Sequence, residues 1–151
     1  MELAPVALVV GLVAVGVAAL IRRRVSSDAP TRPGWAVPDN VDRRDLEHAD
    51  RPWMVAVFSS ATCNACRATW EKARQLESDE VGVQDIDSVR DARLHERYGV
   101  DAVPLLLLLD ERGDVRGHFL GEPTTADLWS AMAALRDDGD PRGDADPVEP
   151  G

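Results

Sequence analysis

The chain has 151 residues, with 17 basic and 27 acidic side chains and a formal net charge of −10. This length gives one ordinary domain, which can bury a sizeable core without disulfide staples, and it makes several independent domains unlikely. Because a nucleic-acid site needs a clustered positive surface, the charge balance argues against nucleic acid as a partner.

The first predicted element is a membrane-spanning helix. Residues 3–21 carry no charged side chain, and roughly 20 such residues in a helix cross the hydrocarbon core. Only Glu2 precedes this run, whereas a cleaved signal peptide begins with basic residues. Arg22, Arg23 and Arg24 follow the run. Since basic flanks stay in the cytoplasm, the sequence predicts a single-pass protein with its N-terminus outside and its remaining chain in the cytoplasm.

Changes in composition divide the chain into four segments. Residues 1–24 form the predicted anchor with its basic flank, and residues 25–40 form a linker rich in Ser, Asp, Pro and Gly. Residues 41–136 are the predicted globular domain. Residues 137–151 are an acidic tail with almost no side chain to bury, which predicts disorder.

The first half of the predicted domain contains a short helix, a strand and a longer helix. The short helix is predicted over residues 41–49. Residues 53–58 are apolar without alternation, which predicts a strand covered on both faces. A helix then runs from Cys63 to about Glu77, because apolar or small side chains recur there at helical spacing. These side chains are Cys66, Trp70, Ala73 and Leu76. Packing roles are predicted for Trp53, Trp70 and Trp129.

A second strand and a second helix follow along the chain. Residues 81–87 have the composition of a strand. Ser88 and Asp91, three residues apart, predict a helix that opens with a capping box. Gly99 suits the left-handed conformation in which such a helix ends.

The last predicted elements are a hairpin and a helix. Residues 104–110 predict a buried strand that is too short to span a membrane. A turn-rich segment follows, so residues 115–120 should return antiparallel to that strand. Thr124 and Asp127 start the final helix. Its apolar stripe consists of Leu128, Met132 and Leu135.

This order of elements predicts an α/β fold. The first strand-helix-strand unit implies a right-handed parallel crossover. Ligands or chemistry are expected at the carboxyl end of its first strand, where Cys63 lies.

The two cysteines, Cys63 and Cys66, form a CxxC pair with four interpretations. A structural disulfide would close only a tiny loop and stabilise the fold slightly. A zinc site would need two further ligands, and inert core residues would need no chemistry at all. A redox pair accounts for the position, because the positive end of the helix favours the Cys63 thiolate and leaves Cys66 to attack a mixed disulfide. The histidines lie far apart in sequence and have no inferred partner; they are His48, His95 and His118.

The residues around the pair resemble the thioredoxin family. The resemblance rests on "VAVFSSATCNAC" entering a helix, on "IDSVRDARLHERYGVDAVPLLLLLDERGDV" and on "GHFLG" before the last helix. It covers nearly all of residues 41–136 and implies a thioredoxin-like fold, with a mixed central sheet flanked by helices. It also implies thiol-disulfide oxidoreductase activity, with Cys63 and Cys66 as the catalytic residues.

The same resemblance implies a substrate-binding surface. Pro104 matches the cis-proline that lies against the reactive disulfide in the family, and Val103 precedes it. Thr62 stands where the family has a tryptophan before the first cysteine, which changes the docking surface. We therefore expect Thr62, Val103 and Pro104 to contact substrate.

The chain departs from the family pattern inside the site. The family has a buried aspartate beneath the cysteines, and this chain has Val57 there. Asn64 and Ala65 stand where the family often has Gly-Pro. Without a nearby base the buried Cys66 thiol should attack slowly, and the rate should increase with pH.

The predicted function is therefore that of a membrane-anchored thiol-disulfide oxidoreductase. Its partners would be protein thiol or disulfide substrates, an unidentified electron donor, and the membrane through residues 3–21. No bound cofactor and no metal are expected, because the cysteines carry the electrons. The alternatives are a non-catalytic docking module at the membrane, an exported thiol reductase of the cytochrome-maturation type, and a metal-handling dimer with four thiolates. The small residues Ala7 and Gly11 are weak evidence of an oligomer.

Overall fold

The computed structural model describes residues 35–139, in which four strands form one mixed sheet. The strands are β1 (Trp53–Ser59), β2 (Val81–Asp87), β3 (Leu105–Leu109) and β4 (Val115–Leu120). Their order across the sheet is β2, β1, β3, β4. β1 runs parallel to β2 and antiparallel to β3, and β4 is antiparallel to β3. The predicted mixed sheet and its terminal hairpin are confirmed.

Within the described residues, three α-helices accompany the sheet. They are α1 (Asn64–Ala73), α2 (Ala92–Tyr98) and α3 (Thr125–Gly139). A turn of 3₁₀-helix, Arg74–Leu76, continues α1, so the predicted extent from Cys63 to about Glu77 is confirmed. Because α1 connects two parallel strands, its N-terminus lies at the carboxyl end of β1.

The predicted membrane span lies outside the described residues. Among residues 35–139, no helix is both long and apolar enough to cross a membrane. Residues 3–21 are not described, and neither are most of the predicted linker and most of the predicted tail.

The core lies on both faces of the sheet because β1 and β3 are buried along their whole length. Odd-numbered β1 residues such as Val55 and Val57 point to the face that α1 and α3 cover, called here the α1 face. Met54 and Phe58 point to the opposite face, against α2 and the segment before β1. Cover on both faces explains why the strand sequences do not alternate.

Three helix ends were predicted from capping residues, and two of them are confirmed: the end of α2 and the start of α3. Gly99 ends α2 with a φ of 62°, in the left-handed region that glycine adopts without steric cost. Before α3, the Thr124 hydroxyl accepts a hydrogen bond from the Asp127 N–H at 3.1 Å and donates one to its carboxylate at 2.7 Å. This reciprocal pair fixes the first turn of α3.

The predicted start of α2 at Ser88 is wrong. The helix begins at Ala92, and residues 88–91 form a turn. The Asp87 carboxylate holds this turn by accepting hydrogen bonds from the N–H groups of Val89 and Arg90, at 2.9 and 3.0 Å. Asp87 therefore caps the turn, whereas α2 begins after Asp91, whose side chain makes no capping hydrogen bond.

The predicted helix over residues 41–49 is reduced to one 3₁₀ turn, Arg43–Asp45. The Arg43 side chain is buried and donates hydrogen bonds to three backbone oxygens, those of Asp110, His48 and Arg51, at 2.6, 3.2 and 2.7 Å. These hydrogen bonds hold the segment in an irregular backbone conformation, and a regular helix there would break them.

The predicted packing role of Trp129 is also wrong. Trp53 and Trp70 pack against the core, but Trp129 is 48% exposed. Leu128 and Met132 are one turn apart and face the sheet, so the residue after Leu128 points away from it.

The Asp42 carboxylate predicts a specific acid response of the fold. Hydrogen bonds from the Arg44 side chain, then from its backbone N–H, lower the Asp42 pKa from 3.8 to about 2. A carboxyl whose pKa is lower in the folded state stabilises the fold above its unfolded pKa. This contribution should be lost as the pH falls from 3.8 towards about 2.

In Asp42→Asn this contribution is absent, so the free energy of unfolding should fall less steeply with acid than in the wild type. Urea unfolding at several pH values measures the slope. Asp79→Asn, in the exposed turn before β2, is the control for loss of one negative charge. Identical acid slopes for Asp42→Asn and the wild type would contradict the prediction.

Candidate functional site

The two cysteines form a disulfide at the start of α1, with their Cα atoms 5.2 Å apart. Cys63 is the residue before the helix, and its sulfur accepts a hydrogen bond from the Cys66 N–H at 3.1 Å. The Cys63 N–H donates to the Ser60 oxygen at 3.0 Å, which closes the turn that leads from β1 into α1. The Cys63 sulfur therefore lies where helix N–H groups and the positive end of the dipole favour a thiolate after reduction.

The two sulfurs differ in their access to solvent. Cys63 is partly exposed, whereas Cys66 is only 2% exposed. Cys66 is the first of three buried residues on α1; the others are Thr69 and Ala73. An approaching molecule can thus reach Cys63 but not Cys66.

Pro104 lies at the same end of the sheet as the disulfide. Phe58 in β1 pairs with Leu105 in β3, so Pro104, one residue before Leu105, lies beside the end of β1. The Val103–Pro104 peptide bond is cis. Pro104 is buried, and its oxygen accepts a hydrogen bond from the Gly121 N–H at 2.9 Å.

The predicted substrate-contact residues differ in exposure. Thr62, in the turn before Cys63, is exposed, and Val103 is half-buried. Val103 and Pro104 lie at the end of the sheet where β1 leads into the disulfide turn. Their contact with substrate stays a prediction.

Val57 lies in the buried core, as its sequence position predicted. It is fully buried on the α1 face, between Asp85 of β2 and Leu106 of β3 in the strand register. No carboxylate therefore occupies this position beneath α1. Its partner across the parallel pair, however, carries one.

The sequence analysis missed a pair of polar side chains near Val57, one on β1 and one on β2. Ser59, the last residue of β1, is buried, and its hydroxyl donates to an Asp85 carboxylate oxygen at 2.5 Å. The Arg90 guanidinium pairs with the other Asp85 oxygen at 3.3 Å and with Asp91 at 2.8 Å. Alternation along β1 and β2 could have placed Ser59 and Asp85 on one face, but only the strand register brings them together.

Asp87 joins this group to the turn before the disulfide. The N–H groups of Arg90, then of Val89, and that of Ala61 donate to its carboxylate, and these hydrogen bonds lower its pKa. The backbone carbonyl oxygen of Ser59 in turn accepts a hydrogen bond from the Ser88 N–H at 2.9 Å. The ends of β1 and β2 are thus fixed to each other directly beside the CxxC turn.

The buried histidine, His95, lies apart from the disulfide. His95 is buried on the opposite face, with Nε2 2.9 Å from the Ile86 oxygen and its ring edge-to-face on Phe58 at 5.1 Å. Among residues 35–139, no three His, Cys, Asp or Glu side chains cluster as metal ligands would.

The difference in burial predicts unequal thiol reactivity after reduction. Iodoacetamide should alkylate Cys63 much faster than Cys66, because Cys63 is accessible and is favoured as a thiolate by the helix terminus. Peptide mass spectrometry of the reduced, time-quenched protein gives both rates. The same reaction in guanidinium is the control, in which the two rates should converge. Equal rates in the folded protein would contradict the assignment.

Comparison with solved structures identifies the fold. A mutant thioredoxin from Halobacterium salinarum matches with a TM-score of 0.53 at 25% identity, over 67% of this chain and 95% of its own. A malarial protein matches with a TM-score of 0.50 at 15% identity, over 56% of this chain and 97% of its own. StoA from Bacillus subtilis gives 0.46 at 15% identity, over 68% and 99%. No protein-family model matches the sequence, and no curated protein does. The match to the thioredoxin, with the sheet described above, supports a thioredoxin-like fold.

Proposed function

We propose that the protein is a membrane-anchored thiol-disulfide oxidoreductase that acts through Cys63 and Cys66. The observation that carries this proposal is the disulfide at the N-terminus of α1, with one accessible sulfur and one buried sulfur. A purely structural disulfide across so short a loop would stabilise the fold little. The likeness to a thioredoxin structure supports the same function.

The chemistry begins with the reduced pair. The Cys63 thiolate attacks one sulfur of a substrate disulfide, so that a mixed disulfide forms and one substrate thiolate leaves. Cys66, once deprotonated, attacks the Cys63 sulfur and releases the second substrate thiolate. The substrate has then gained two electrons and the pair is again a disulfide. A dithiol donor reduces the pair by the same exchange in reverse, so no bound cofactor is required.

Substrate contact is assigned to the surface around Cys63. Thr62 is exposed beside it, and Val103 and Pro104 approach the same end of the sheet from β3. Proline has no backbone N–H, so Pro104 has no donor that an extended substrate segment would need to satisfy. We assign Thr62, Val103 and Pro104 to the substrate-binding surface on this basis.

The different roles of the two sulfurs give the main test of function. Cys66→Ser should accumulate a mixed disulfide with its protein substrate, because the attacking Cys63 remains and the resolving thiol is gone. Cys63→Ser is the matched control and should accumulate little, since Cys66 is buried. Non-reducing gels after acid quench, followed by mass spectrometry, measure the trapped species.

Equal trapping by the two variants would contradict the assigned roles. If neither variant traps any protein, and Cys63 reacts no faster than an ordinary exposed thiol, the protein is instead a docking module that retains the fold. The apolar Val57 at the position of the usual aspartate is the feature that favours this second candidate.

We further propose that residues 3–21 anchor the chain and that the CxxC domain faces the cytoplasm. The support is the basic flank at residues 22–24, which directly follows the apolar run. With Ser27→Cys in a variant that lacks the native cysteines, a membrane-impermeant maleimide should leave intact cells unlabelled and should label lysed cells. Labelling of intact cells would favour an exported reductase of the cytochrome-maturation type.

A further inference from the structure

We propose that Asp85, acting through the Ser59 hydroxyl, accepts the proton that Cys66 must lose before it attacks the mixed disulfide. This inference rests on the proposed function and names the base for its second step. Asp85 is a positioning residue here, because it acts through Ser59. The proton on the Cys66 sulfur passes to Ser59 Oγ as the Ser59 hydroxyl proton passes to the Asp85 carboxylate.

The direction of α1 places Cys66 at the Ser59 end of β1. The later residues Ala73 and Leu76 pack with Val55 and Val81, nearer the amino ends of β1 and β2. Cys66 is the first inward-facing residue of α1, so it lies towards the carboxyl end of the sheet. That end of β1 is Ser59.

Ser59 points to the same face as α1. Side chains alternate along a strand, and Val55 and Val57 lie on the α1 face, so Ser59 lies there too. It is 5% exposed although it ends a strand, which means that neighbouring elements cover it. Asp85 shares this face because β2 residues Val81 and Val83 belong to the same core.

The transfer of a proton from Cys66 through Ser59 to Asp85 is called here the relay. Among the described residues, four polar or charged side chains are buried, and only Ser59 is placed to take part in it. Arg43 and His95 contact the other side of the sheet. Thr69 already donates its hydroxyl proton to the Ala65 oxygen at 2.8 Å, within α1 itself. The Ser59 proton goes to Asp85, which leaves the Ser59 oxygen lone pairs available to a donor.

The charged groups near the relay leave Asp85 as the available base. The inward residues of α1 and the α1-face residues of β1 and β3 carry no charge. At the end of β2, Asp87 is occupied by backbone N–H groups that lower its pKa, which makes it a weak base. Arg90 and Asp91 lie in the turn beyond, where Arg90 pairs with both Asp85 and Asp91.

The relay changes the expectation that Val57 gave for the second step. A missing carboxylate at position 57 predicts slow resolution that increases with pH. Asp85, paired with Val57 across the parallel strands, supplies a carboxylate from the adjacent strand instead. Wild-type resolution should then be efficient near neutral pH and depend weakly on pH.

The test uses dithiobis(nitrobenzoate), a small disulfide that needs no physiological substrate. The reduced full chain in detergent should release one thionitrobenzoate when Cys63 attacks and a second when Cys66 resolves. Asp85→Asn keeps the shape and the Ser59 hydrogen bond but removes the base, and Ser59→Ala removes the relay. Both should slow the second release about 100-fold near neutral pH, while the first stays unchanged. In both variants the second rate should rise roughly tenfold per pH unit between about pH 6 and 8.

Asp91→Asn is the control, since it removes a carboxylate that also pairs with Arg90 but does not contact Ser59. Its second release should match the wild type. Wild-type speed and pH dependence in Asp85→Asn, or equal slowing in Asp91→Asn, would overturn the inference. The substrate traps described above report separately on the proposed function, because dithiobis(nitrobenzoate) oxidises any accessible thiol that has a second thiol beside it.

Discussion

The parallel pairing of β1 with β2 determines where the disulfide lies. Parallel strands require a crossover, so α1 must begin beyond the carboxyl end of β1 and return along the sheet. Three residues separate Ser59 from Cys63, which is just enough chain for a tight turn closed by the Cys63 N–H. The Cys66 N–H therefore donates to the Cys63 sulfur, and the Cys66 side chain, at the first inward position of α1, is buried. Accessibility and thiolate stabilisation at one sulfur both follow from this crossover.

The same register accounts for the electrostatics beneath α1. Val57 and Asp85 are partners across the parallel pair and share the α1 face. A carboxylate at position 57 would be fully buried, whereas Asp85 stands near the edge, where Ser59 and Arg90 satisfy it. A partly buried, hydrogen-bonded carboxylate costs less free energy than a fully buried one. The core beneath Cys63 and Cys66 is thus apolar, and the Asp85 carboxylate lies at the border of that core.

The sequence predicted those parts of the fold that depend on local pattern. The uniform apolar run of β1 and the left-handed Gly99 are examples, because burial and steric freedom are properties of single segments. The start of α2 was predicted wrongly, because the Ser88–Asp91 pattern does not reveal that the Asp87 carboxylate holds residues 88–91 in a turn. The link between Ser59 and Asp85 depends on the register between two strands, which neither strand specifies alone. The membrane anchor and its orientation stay predictions.

The reduction potential of the Cys63–Cys66 pair tests the proposed thiol-disulfide exchange most directly. The full chain in detergent is equilibrated with dithiol buffers of known potential, quenched with acid, and its free thiols are tagged and counted. Because the N-terminus of α1 stabilises the Cys63 thiolate, and hence the reduced form, we predict a single two-electron transition above about −300 mV, in the range of exchange-active pairs. A transition below about −300 mV is typical of a structural disulfide and would contradict the proposed function.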